Sequence, residues 1–133
     1  MHIDYGETLY QTGSLKLAIP AYLIVIRRIV EHDESIVGLV STGSSGAILA
    51  TGILLQGQME LYHIHVGKRA GHRGKISGVN HAGNYIFVDD FIDKGVSVRR
   101  CKRHLKASRM PYVVVGDNFH GRAFGNTKVI RVR

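Results

Sequence analysis

One cysteine, two prolines and no apolar run of membrane length occur in this chain of 133 residues. The single Cys101 excludes an internal disulfide and fits a reducing compartment, so the expected location is cytoplasmic. It falls in a predicted amphipathic helix, where a free cysteine serves as a small packing residue. Neither Pro20 nor Pro111 marks a linker, and no repeat or low-complexity tract divides the chain. Residues 1–133 therefore read as a single domain with one core. No stretch approaches the ~20 apolar residues that a membrane helix needs. The start, Met1 to Gly6, lacks a basic region followed by an apolar one, so no secretory signal is expected. Acidic residues are also scarce: 10 against 18 Lys and Arg, a formal charge of +8. That balance predicts an anionic partner, polyphosphate or nucleic acid.

What is present alternates. An apolar share of 44% excludes disorder. Residues up to about Leu17 predict a short hairpin or arm, and Pro20 is placed to open a helix ending near Glu31. Strands follow at Ile36–Val40, Glu60–Val66, Asn84–Asp89, Pro111–Gly116 and Lys128–Val132. Helices are expected at Ala47–Leu55 and Val96–Ser108, and a long polar loop over Gly67–Gly83. Short, nearly continuous apolar strands separated by helices indicate an α/β domain of three layers, with a central, mostly parallel sheet flanked by helices.

The most informative segment is Tyr85-Ile86-Phe87-Val88-Asp89-Asp90-Phe91-Ile92-Asp93-Lys94-Gly95-Val96-Ser97. An apolar strand ends in two adjacent carboxylates; a third follows, then a glycine and a hydroxyl before a basic helix. Such a strand delivers acids to the carboxyl edge of a sheet and seats an anion on the next helix. Carboxylates suit sugar hydroxyls and Mg²⁺, and free backbone N–H groups suit phosphate, so a sugar phosphate satisfies both.

This segment resembles the phosphoribosyl-diphosphate (PRPP) signature of the type I phosphoribosyltransferases, an apolar strand leading into two acids and then Asp-Thr-Gly-x-Thr/Ser. Asp89, Asp90, Asp93, Gly95 and Ser97 match it, whereas Lys94 stands where the family usually has Thr or Ser. The resemblance implies the family's fold and a Mg²⁺-dependent transfer of a 5-phosphoribosyl group between diphosphate and a nitrogenous base. It implies that Asp89 and Asp90 hold the ribose hydroxyls, directly or through Mg²⁺-bound water. In purine-specific members the acid at the Asp93 position takes a proton from the base, a role that Asp93 would carry with a purine-like substrate, and Lys94, Gly95, Val96 and Ser97 cradle the 5′-phosphate. In kind the chain is similar to short, phage-type members.

Val37 to Ala47 contains a second element, the turn Ser41-Thr42-Gly43-Ser44-Ser45-Gly46, whose N–H groups suit a diphosphate. It resembles the family's pyrophosphate loop, which often holds a cis peptide, by position Ser41–Thr42. Ser41, Thr42, Gly43 and Ser44 are the expected contacts. Relatives often carry a basic residue near Thr42; this chain has none there. The spacing excludes a Walker loop, a nucleophile elbow and a dinucleotide fingerprint.

The third element is Gly67 to Lys75. Lys68 and Arg69 are candidates for the diphosphate, with His72, Arg73 and Lys75 descending on a glycine-rich lid. His63 and His65, two apart on a strand, share a face, where packing or an interface competes with metal binding. Phe119, after the strand Pro111–Gly116, is the candidate for stacking the base. The ligands expected are PRPP or a nucleoside monophosphate and a base of unknown identity. Relatives usually dimerise, so a homodimer is expected. Two alternatives stand beside transfer: an inactive descendant that senses nucleotides or binds a partner, and secondary nucleic-acid affinity through Arg99–Arg109 and Lys128–Arg133.

Overall fold

The computed structural model describes residues 12–67, 76–77 and 81–132. The α-helices among them are α1 (Thr12–His32), α2 (Gly43–Gly57) and α3 (Val96–Leu105). Six strands are β1 (Ile36–Thr42), β2 (Tyr62–Val66), β3 (Ile76–Ser77), β4 (Asn84–Ile92), β5 (Tyr112–Asn118) and β6 (Lys128–Arg131). They form one sheet in the order β3-β2-β1-β4-β5-β6. Five strands run parallel, and short β3 pairs antiparallel with β2.

Strand alternation explains the layers. Ile86 and Val88 of β4 point to one face, into a core with Ala18, Tyr22 and Ile26 of α1 and Leu49, Ala50 and Ile53 of α2. Tyr85 and Phe87 point to the other, against Val98, Cys101 and Leu105 of α3. Cys101 is thus a packing residue, fully buried. Both faces of β4 are covered, which is why its sequence shows no polar alternation before the aspartates. Truncating a core side chain such as Ile26 costs about 2–5 kcal/mol.

One expectation fails at the start. Residues 12–17 are helical, so no hairpin or arm reaches Leu17, and residues 1–11 lie outside the described residues. Helix α1 runs through Pro20, whose ring is exposed. Proline removes one N–H bond to Lys16, a local cost, but the helix buries Ala18, Tyr22, Leu23, Ile26 and Ile29 along one side. Packing outweighs the breaker.

The order β2-β1-β4-β5 fixes where a ligand can sit. From β1 the chain moves outward one way to β2, and from β4 the other way to β5. The crevice beyond the carboxyl ends of β1 and β4 is therefore the topological switch point.

Candidate active site

A cleft of about 370 Å³ opens at that switch point, lined by residues 42–45 from the end of β1 into α2 and by Phe87 and residues 89–98 from the end of β4 into α3. The structure thus brings together Thr42, Gly43 and Ser44 with Asp89, Asp90, Asp93, Lys94, Gly95, Val96 and Ser97. Lys68, Arg69, His72, Arg73 and Lys75 lie outside the described residues.

Two helix N-termini frame the cleft. Helix α2 starts after Thr42 and α3 after Gly95, and neither cap residue makes a side-chain hydrogen bond to its helix. The first-turn amides of a helix have no partners within it and carry its positive dipole end. Two such mouths at one cleft suit two anionic groups. Gly95 adopts φ +82°, and an added Cβ there would lie 2.8 Å from the Phe124 ring. A side chain is excluded both by conformation and by space. Gly46 permits a different approach: a Cβ would lie 3.2 Å from the Val88 carbonyl and 3.6 Å from Asp89 Oδ1. Helix α2 can therefore lie close against the end of β4.

Asp89 and Asp90 are each only 7% exposed. Asp89 Oδ1 accepts the Asp90 N–H at 2.9 Å, and Asp90 Oδ1 accepts the Phe91 N–H at 2.9 Å. From the opposite layer, the Tyr22 hydroxyl donates to the Asp89 carbonyl at 2.7 Å and ties α1 to the acidic end of β4. Asp93 is half exposed; its Oδ1 lies 2.7 Å from His120 Nε2. The turn that follows is braced by Arg99, whose guanidinium donates to the Lys94 carbonyl at 2.7 Å.

Hard carboxylate oxygens beside anion-binding amides fit Mg²⁺, which takes one or two carboxylates and completes its shell with water and phosphate. Among the described residues no group of three His, Cys, Asp or Glu forms a closed metal cage. The donor set suits a cation that arrives with a phosphorylated ligand.

Ser41 is absent from the cleft lining. Its fully buried hydroxyl lies 2.7 Å from His63 Nε2 and 2.8 Å from His65 Nδ1. A hydroxyl has one proton, so it donates to one imidazole and accepts from the other. Burial, then the neighbouring His65, pushes the His63 imidazole below its ordinary value. The two histidines hold the β1–β2 pair together on the helical face of Ser41. Thr42 lines the cleft, but its hydroxyl donates to the Val66 carbonyl at 2.6 Å. The Ser41–Thr42 peptide is trans: Thr42, at φ −148° and ψ 146°, stays in register with Val66 to the end of β1. Extended pairing leaves no bend for a cis bond to make.

Phe119 is not in the lining either. It stands 53% exposed at the rim, its ring 5.1 Å from that of Phe91, which does line the cleft. His120, Arg122 and Tyr22 were not legible as site neighbours. They lie 27, 29 and 67 residues from the aspartates they contact; the resemblance pointed to the loop after β5 through Phe119 but not to these contacts.

No family model and no curated protein sequence matches the chain. Solved structures do. Adenine phosphoribosyltransferase from Saccharomyces cerevisiae, in complex with adenine and an imino-altritol bisphosphate, matches with TM-score 0.71 and 16% identity, over 96% of this chain and 83% of that one. Orotate phosphoribosyltransferase from Aeropyrum pernix gives 0.62 and 19%, over 90% and 67%. A hypoxanthine-guanine phosphoribosyltransferase from Bacillus anthracis gives 0.55 and 12%, over 99% and 80%. The chain has the type I phosphoribosyltransferase fold.

Proposed function

We propose that the chain is a phosphoribosyltransferase that binds PRPP and transfers its 5-phosphoribosyl group to a nitrogenous base. The observation that carries this reading is the pair of helix mouths without side-chain caps, flanking two buried aspartates in one cleft. The 5′-phosphate sits on the amides of residues 95–97 with the Ser97 hydroxyl, and the diphosphate on the turn 42–44. Asp89 and Asp90 take the ribose hydroxyls between them and would hold Mg²⁺. When bound, that ion supplies charge neutralisation to the diphosphate.

In the reaction the C1–oxygen bond to diphosphate breaks and a bond from a ring nitrogen to C1 forms. The ring nitrogen loses a proton, which the Asp93 carboxylate accepts. Positioning and electrostatic stabilisation of the leaving diphosphate do most of the work. Phe119, beside Phe91 at the rim, offers the face on which a planar base stacks.

A sensor without turnover is the second reading. What favours it is charge: Lys94 is the one cation among the described lining residues, against three aspartates. Diphosphate release with a panel of adenine, hypoxanthine, guanine and orotate separates the two. Release with at least one base supports transfer. Saturable PRPP binding with no release from any base identifies a sensor.

A further inference from the structure

We propose that His120 is a positioning residue that fixes the Asp93 carboxylate for proton acceptance from the incoming base. The proposal rests on the transferase reading of the same cleft and deepens it. The sequence around Asp93 gives its side chain no local anchor: it leaves the end of β4, enters the turn before α3 and is half exposed. An unanchored carboxylate on a turn samples many rotamers, and proton transfer needs one.

The anchor comes from the loop after β5. His120 Nε2 donates to Asp93 Oδ1 at 2.7 Å, which leaves Oδ2 as the oxygen not engaged by the imidazole. Arg122 Nε donates to the Asp93 carbonyl at 3.3 Å, so side chain and backbone are held from the same loop. That loop is itself braced. The Phe119 N–H donates to the Ile92 carbonyl at 3.0 Å. Asn118 clasps Arg122 in both directions, its Nδ2 donating to the Arg122 carbonyl and its Oδ1 accepting the Arg122 N–H, each at 2.9 Å.

The position of this pair distinguishes it from an ordinary surface ion pair. With Asp93 52% and His120 54% exposed, the contact adds little to stability. Its effect is geometric: it engages one carboxylate oxygen of a residue that lines the cleft and leaves the other for a ligand there.

The test uses full-length wild type, H120A, H120Q and D93N, with whichever base of the panel wild type turns over fastest. In H120A, kcat falls roughly 10- to 100-fold, as expected for a misaligned acceptor, while the dissociation constant for PRPP changes less than about twofold. H120Q, whose amide can donate from a similar position, recovers most of the loss. Unchanged kcat in H120A, or PRPP affinity lost in step with kcat, overturns the proposal. Imidazole ¹⁵N–¹H correlation spectra read the pair without substrate: the His120 Nε2 signal moves in D93N. If it stays in place, the proposal is overturned even where turnover is seen. A wild type that shows the pair yet releases no diphosphate ends the transferase reading, and the positioning role with it.

Discussion

The two turns at the carboxyl edge of the sheet face the same cleft but are built on opposite plans. At the end of β1, the side chains turn inward: Ser41 bonds two histidines and Thr42 bonds a carbonyl of β2. What that turn offers the cleft is backbone. From the end of β4 onward, the side chains are the offer: Asp89, Asp90, Asp93 and Lys94 all line the space. One turn is an amide cradle fixed by its neighbour strand, the other a charged arm fixed by α1 and by the loop after β5. The lesson is that a hydroxyl beside a helix mouth need not face the cleft.

Four substitutions or conditions break or sharpen this contrast. The largest effect belongs to the charged turn. Asp89→Asn with Asp90→Asn keeps the oxygens that accept backbone N–H groups but removes both charges. Binding of PRPP with Mg²⁺, read by calorimetry, weakens roughly 100-fold, as losing two charge-assisted contacts implies. Gly95→Ala comes next. Its Cβ meets Phe124, and φ +82° disfavours it, so stability falls by about 1–2 kcal/mol and PRPP affinity by about tenfold. Urea unfolding and titration report the two separately.

The inward turn predicts the reverse pattern. Ser41→Ala leaves two half-buried imidazoles short of a partner and costs about 1–3 kcal/mol in chemical denaturation. PRPP affinity stays within about twofold; a tenfold loss would mean that the hydroxyl reaches the ligand after all. The smallest effect is a pH dependence. The His63 imidazole sits below its ordinary value in the folded state, so the unfolded chain binds more protons as the medium acidifies. Stability contributed by His63 is present above about pH 6.5 and is lost as the pH falls through the lower folded value. The melting temperature should drop between pH 7.5 and 5.5, and His63→Gln should flatten that drop.

The sequence made the charged arm legible because its parts are contiguous. Asp89, Asp90, Asp93, Gly95 and Ser97 act through one strand, one turn and one helix start, so their spacing alone places them together. The parallel sheet was legible for a similar reason, since each strand reads as a short apolar run. The direction of the Ser41 hydroxyl was not legible, because it is set by histidines 22 and 24 residues later. His120 was hidden for the same reason. The start of α1 is hidden because Pro20 reads locally as the opening of a helix, whereas the core contacts that extend the helix back to Thr12 come from α2 and the strands. Local chemistry was readable; partners across the sheet were not.

Calorimetric titration of PRPP into the wild-type protein, with Mg²⁺ and then with the metal chelated, tests the two-anion cleft most directly. Saturable binding of one equivalent is expected with Mg²⁺, with a large loss of affinity on chelation. No heat at millimolar PRPP in the presence of Mg²⁺ would contradict it.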